Sequence, residues 1–164
     1  MKKISIVILI LILLILNPFS LRSGNNILKV KNDINYKILY NQLLKTSIMY
    51  PDIAFAQAVL ESAHFKSPLF IRANNLFGMK IPTKRPTTAI GSTNGYSKYS
   101  NWNSSVLDYK LWQEFLFKRK GVMTRKEYIL YIKKWYATDP NYIIKIKNSI
   151  NKYSFILKIN NESI

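Results

Sequence analysis

The run PDIAFAQAVLESAHFKSPLFIRANNLFGMK, Pro51 to Lys80, carries the structural logic of the chain. Pro51 opens a helix, since a proline costs nothing at a first turn where its N–H would go unpaired. The helix should fade near Ala63. Ser67-Pro68 starts a second, short helix through about Ala73, and Asn74-Asn75-Leu76-Phe77-Gly78 reads as a turn that buries its Leu-Phe pair. The same run holds Glu61, whose carboxylate falls in the last turn of the first helix, where the dipole disfavours negative charge. Ala54, Gln57, Ala58, His64 and Phe65 share its face, and no lysine there pairs it. Small neighbours leave room and apolar ones desolvate, so both surroundings and dipole should raise its pKa, as a general acid near neutral pH requires. A glutamate pointing to solvent at a frayed helix end is the ordinary alternative, and the residues alone leave it open.

The other seven acids have structural readings. Asp33 and Asp52 fall in first helical turns. Ser105 with Asp108 and Thr124 with Glu127 match the capping box. Asp139 before Pro140 reads as a cap, Glu114 lies four residues from both Lys110 and Lys118, and Glu162 belongs to a polar tail.

With 164 residues, 48% hydrophobic and 13% aromatic, the chain can bury a core as one domain behind an amino-terminal segment. Lys and Arg number 25 against 8 acids, a net charge of +17, which attracts polyanions such as nucleic acid, anionic lipid or an envelope polymer. The lysines are scattered and no arginine-rich run or aromatic nucleic-acid signature occurs, so no nucleic-acid partner is expected. Absence of cysteine excludes disulfides, thiolate metal sites and cysteine nucleophiles, and a single histidine, His64, excludes a His-rich zinc site. No metal or cofactor is expected. The chemistry must rest on carboxylates, hydroxyls, amides and phenols.

Lys2 and Lys3 precede an apolar run from Ile4 to Leu16, the pattern of an export signal. Thirteen residues are short for a spanning helix. Residues 1–23 are therefore expected to be a signal peptide, or a membrane anchor if the apolar stretch counts from 4 to 21. Residues 24–32 read as a linker, 33–157 as the folded domain and 158–164 as a polar tail. Within the domain, Ile34, Ile38, Leu43, Leu44 and Ile48 form an approximate helical stripe. Thr87–Ile90 and Tyr96–Tyr99 read as short strands around the hairpin signal Asn94-Gly95. Helices follow over Val106–Lys118, with Leu107, Leu111 and Phe115 as a row, then over about Arg125–Tyr136, and from Pro140 with Ile143, Ile144, Ile146 and Ile150. The fold class is mainly α with a small β-hairpin insert (α+β).

Four blocks carry a resemblance: AQAVLES (Ala56–Ser62), NNLFGMK (Asn74–Lys80), YSNWNSSVLDY (Tyr99–Tyr109) and YATDPNY (Tyr136–Tyr142). In that order, over roughly residues 35–153, the sequence resembles the bacterial peptidoglycan glucosaminidases of glycoside hydrolase family 73, which share a lysozyme-like fold. The resemblance implies a helical domain whose hairpin lines a groove, and an exported, monomeric endo-hydrolase that cuts glycan strands of peptidoglycan after N-acetylglucosamine. Glu61 stands in the place of the catalytic glutamate. Asn75 and Phe77 should line the groove floor, and Tyr136 should face Glu61. Tyr99 and Trp102 are candidates to stack on sugar faces. Each also has a plain reading, as a turn residue for Asn75 and as packing for the aromatics.

One departure matters. Many family members carry a second acid in the hairpin, and Lys84–Ser100 contains none. Two carboxylates are the usual requirement. Attack by the substrate's own 2-acetamido group, favoured here, attack by a 6-hydroxyl as in lytic transglycosylases, and a water held by Tyr136 for inversion are the three open routes. A non-catalytic wall-binding protein is the reading from another class.

Overall fold

In the computed structural model, residues 34–136 and 138–159 are described. The chain divides into two units, 1–34 and 35–164, and the fold concerns the second. The proposed leader and linker lie outside the described residues, as do residues 160–164 of the polar tail. Among described residues no helix is long and apolar enough to cross a membrane.

Helix α1, Tyr36–Lys45, starts where the Asn35 side chain accepts from the Ile38 N–H at 2.9 Å. Its buried residues are Leu39, Tyr40 and Leu43, whereas Ile38 is exposed. Helix α2, Pro51–Glu61, is buried at every position from Ile53 to Val59, which makes it the central rod of the domain. Helix α3, Pro68–Ala73, starts with the Ser67 side chain accepting from the Phe70 N–H, as the Ser-Pro pair predicts.

Strands β1, Gly91–Thr93, and β2, Tyr96–Lys98, pair antiparallel with Thr93 opposite Tyr96. The two-residue turn has Asn94 and Gly95 both at positive φ, 52° and 80°, the geometry that an Asn-Gly pair favours. The turn matches expectation. The first strand begins four residues later than Thr87, because Thr87 and Thr88 are drawn towards Asp108 and the Ser104 carbonyl instead. On its other edge β2 contacts the 79–81 segment, with an isolated bridge between Lys80 and Tyr96 and the Ser97 N–H donating to the Met79 carbonyl.

Helix α4, Trp102–Lys120, starts four residues earlier than expected, because Asn101 caps it by accepting from the Ser104 N–H at 3.0 Å. Ser105 and Asp108 therefore lie inside the helix and form no capping box. The expected row of Leu107, Leu111 and Phe115 is not the core face: Leu107 is exposed, and Val106, Tyr109, Gln113 and Leu116 are buried instead. Helix α5, Arg125–Trp135, carries the full Thr124/Glu127 capping box. Helix α6, Tyr142–Lys152, follows Asn141. Asp139 accepts from the Asn141 N–H and pairs with Lys145, so it braces the turn rather than capping a helix at Pro140. Ile146 of this helix is buried and Ile144 is exposed. Helix α7 spans Ser154–Ile159.

The core joins α2, α4, α5 and α6 through Ile53, Ala56, Leu116, Tyr128, Ile132, Tyr142 and Ile146. Each large apolar side chain buried this way contributes roughly 1.5–3 kcal/mol. Asp52 on α2 is gripped by both nitrogens of Arg125 on α5.

Candidate active site

Glu61 is the last residue of α2. The Ser62 N–H bonds back to the Ala58 carbonyl, and the chain then makes a left-handed turn with Ala63, His64 and Phe65 at φ of 48°, 58° and 67°. The Ser62 hydroxyl accepts from the Phe65 N–H at 3.0 Å. This turn ends the helix abruptly, and Glu61 lies in the lining of a groove of about 970 Å³. Its lining includes Phe77–Pro82, Arg85, Tyr96 and Trp112, together with Trp135, Tyr136, Thr138, Asp139, Tyr142 and Lys145.

The Tyr142 hydroxyl donates to Glu61 Oε1 at 2.8 Å. Burial raises the Glu61 pKa above the ordinary value, and the Tyr142 hydrogen bond opposes it without cancelling it. The same burial, with the Glu61 charge nearby, pushes the Tyr142 phenol far up, so it remains a donor at any physiological pH. Tyr136 is likewise raised well above its ordinary value by burial.

The other sequence-derived candidates divide sharply. Phe77 and Tyr136 line the groove with Glu61. The Phe77 ring stacks on Tyr109 at 4.3 Å, and its carbonyl accepts from the Tyr136 hydroxyl. Asn75 is fully buried and is not part of the groove lining. Its Nδ2 donates to the carbonyls of Met79 and Ser97, and its Oδ1 accepts from the Met79 N–H, so it ties the groove edge to the hairpin. Tyr99 and Trp102 are buried as well and do not line the groove. Tyr99 donates to Asp108 Oδ2 at 2.7 Å. Burial favours the neutral form of Asp108, yet bonds from Arg85, Thr87 and Tyr99 outweigh it and hold the carboxyl below its ordinary range. Arg85 grips Asp108 through both guanidinium nitrogens at 2.9 Å.

Sequence reasoning missed Tyr142, Gly78, Trp112, Trp135 and Arg85 as parts of the site. Tyr142 closes the YATDPNY block, and that was the only signal for it. Asp139 is the other acid in the lining. Lys145, which pairs with it at 2.6 Å, and the Asn141 N–H hold its pKa low. Among the described residues no group of three or more His, Cys, Asp or Glu could hold a metal ion.

A groove with one acid of raised pKa in its lining, flanked by exposed and half-buried aromatics, suits protonation of a sugar leaving group. Three comparisons bear on it. The chain is similar to the catalytic domain of the autolysin Auto from Listeria monocytogenes, with 25% sequence identity and a TM-score of 0.50 over 80% of this chain and 86% of that one. It is also 39% identical to Protein bax of Escherichia coli (strain K12) over 74 residues, which are 44% of this chain and 27% of that protein's length. The family profile described as mannosyl-glycoprotein endo-beta-N-acetylglucosaminidase matches residues 37–155, and the chain belongs to this glycosidase family.

Proposed function

We propose that the chain is an exported peptidoglycan hydrolase that cleaves the glycan strand at N-acetylglucosamine, with Glu61 as general acid. The observation that carries this reading is the Glu61 carboxyl itself, in the lining of an open groove with its pKa raised by burial. In the proposed reaction the Glu61 proton passes to the bridging oxygen as the bond from that oxygen to the anomeric carbon breaks. The substrate's 2-acetamido oxygen forms the new bond to the anomeric carbon, and water then opens the resulting ring. Substrate assistance fits the lining, because its other acid, Asp139, is engaged through both oxygens. The similarity to an autolysin's catalytic domain supports a wall substrate, and the basic surface, +17 overall, would concentrate the protein on anionic envelope polymers. Tyr136 and Trp135 are proposed to contact the sugars, while Phe77, 1% exposed and stacked on Tyr109, is proposed to support the lining from beneath. Asn75, Tyr99 and Trp102 are proposed to act on the substrate only through the edges they hold.

The test is fragment analysis by mass after incubation of purified protein with peptidoglycan. Reducing N-acetylglucosamine ends are expected from native protein. Anhydro-muramyl ends would move the reaction to the transglycosylase class. Glu61→Gln should lose activity by about 10²–10⁴-fold, the usual contribution of a general acid. No cleavage by native protein, or equal cleavage by the variant, would overturn the reading. Glycan binding that survives in an inert native protein would favour the wall-binding alternative.

A further inference from the structure

Gln57 and Gln113 are fully or almost fully buried amides that the mechanism above leaves unused, and so are the phenols of Tyr109 and Tyr128. They form one connected path. Gln113 is anchored on the backbone of Met49, whose N–H donates to Oε1 at 2.8 Å and whose carbonyl accepts from Nε2 at 2.9 Å. Only one orientation of the amide satisfies both bonds. The second hydrogen on Nε2 then points to the Tyr128 oxygen, 3.2 Å away. Tyr128 and Tyr109 share a hydrogen bond of 2.7 Å, the Tyr109 hydroxyl donates to Gln57 Oε1 at 2.6 Å, and Gln57 Nε2 reaches the Tyr142 oxygen at 3.4 Å. Tyr142 donates to Glu61 Oε1.

We infer that this chain of side chains is polarised in one direction only, from the Met49 backbone to the carboxylate, so that Glu61 Oε1 is held as an acceptor and the acid's proton resides on Oε2. The reason is proton counting. Each tyrosine has one hydrogen to give, and an amide oxygen has none. Tyr109 must spend its hydrogen on Gln57, so Tyr128 donates to Tyr109. Reversal would leave the Tyr128 hydrogen facing the Gln113 NH₂ group with nothing to bond, and a buried donor left without an acceptor loses its hydration with nothing in return. Oε2 lies beside Gly78 in the groove wall. Gln57, Tyr109, Tyr128 and Gln113 are thus positioning residues, acting through Tyr142.

The titratable groups around the carboxyl are few. Tyr142 comes from α6 and Tyr136 from the segment after α5, while Lys80, Arg85, Asp139 and Lys145 line the same groove. Arg85 is committed to Asp108 and Lys145 to Asp139. Among the described residues the side-chain hydrogen bond that Glu61 receives is the one from Tyr142, at the end of the polarised chain, and weakening that chain anywhere should destabilise the carboxylate.

A catalytic role for the chain rests on Glu61 being the acid of the proposed function, but its polarity can be tested without turnover. Carboxyl-labelled glutamate gives four NMR signals, from Glu61, Glu114, Glu127 and Glu162, and Glu61→Gln identifies the one from position 61. Tyr142→Phe should raise the Glu61 midpoint by about one pH unit. Tyr109→Phe, which frees the Gln57 amide to turn its oxygen towards Tyr142, and Tyr128→Phe should raise it by a smaller amount. A merely structural tyrosine would lower the melting temperature and leave that midpoint in place, and this outcome in both variants overturns the inference. A neutron structure of native protein decides the matter even if a variant fails to fold. Deuterons are expected on Tyr128 towards Tyr109, on Tyr109 towards Gln57 and on Tyr142 towards Glu61, and any one reversed overturns it. A protein inert on peptidoglycan with those deuteron positions would overturn the proposed function and leave this inference intact.

Discussion

A Cβ added at Gly78 would stand 3.3 Å from Oε2 of Glu61, and Gly78 itself holds a φ of +64°. The glycine therefore does two things at once: it permits a left-handed backbone and it keeps one carboxylate oxygen open to the groove. Gly78→Ala should lower stability by about 1 kcal/mol through backbone strain and, if Glu61 acts as proposed, should also reduce kcat, because the methyl group crowds Oε2, the oxygen proposed to carry the proton. Steady-state kinetics beside a urea melt separate the two effects. An unchanged kcat in a destabilised variant would show that the close approach is unimportant.

The pH dependence follows from the raised Glu61 pKa. A general acid works protonated, so kcat should fall as pH rises through the folded-state value, which burial places above 4.5. Stability moves in a related way. A carboxyl whose folded pKa exceeds its unfolded one disfavours the fold once it ionises, a penalty absent below the unfolded value and complete above the folded one. Glu61→Gln should therefore melt higher than native protein near pH 7 and equally near pH 4. Calorimetry at the two pH values checks this.

Asp108 has the opposite sign. Its folded pKa lies below the ordinary 3.8, so its stabilisation is complete above that value and is lost as pH falls through the folded one. Asp108→Asn leaves Arg85, only 5% exposed at its side chain, without a charge partner. The expected loss is about 3–5 kcal/mol, measurable by denaturant unfolding at neutral pH, and it should shrink in acid.

Trp135 lines the groove yet is 67% exposed, an arrangement suited to a stacking platform for a sugar. Trp135→Ala should raise KM by about 10-fold, or about 1.4 kcal/mol, with kcat nearly unchanged. A variant with native KM would place the sugar elsewhere.

Ala63 is exposed and sits at φ 48° immediately after the Glu61 and Ser62 pair. Left-handed backbone is unfavourable for a residue with a Cβ, so Ala63→Gly should stabilise the protein by about 0.5–1 kcal/mol without altering activity. Thermal melts and the fragment assay together test this.

Several elements are legible in the chain alone because their signals lie within a few residues of what they specify. The Thr124/Glu127 capping box, the Ser67-Pro68 start and the Asn94-Gly95 turn are all of this kind. The Ser105/Asp108 pair failed for the same reason inverted: a local pattern was present, but Asn101 capped the helix first, and Asp108 was claimed by Arg85, 23 residues earlier in the chain. The left-handed turn at Ala63–Phe65 has no glycine to announce it, and it is held by the His64 N–H donating to the Val59 carbonyl and the Phe65 N–H to the Ser62 hydroxyl.

Read linearly, the residues established a helical chain with one hairpin, an absence of cysteine chemistry, and Glu61 as the acid lacking a structural partner, since each of these depends on composition or on neighbours along the backbone. Folding alone decided that Tyr142, 81 positions away, is that acid's partner, that Asn75 and Tyr99 serve the groove's framework, and that Trp135 and Gly78 face its interior. The physical reason is that hydrogen-bond direction and groove shape are properties of packed helices, and no periodicity in the chain encodes which faces meet.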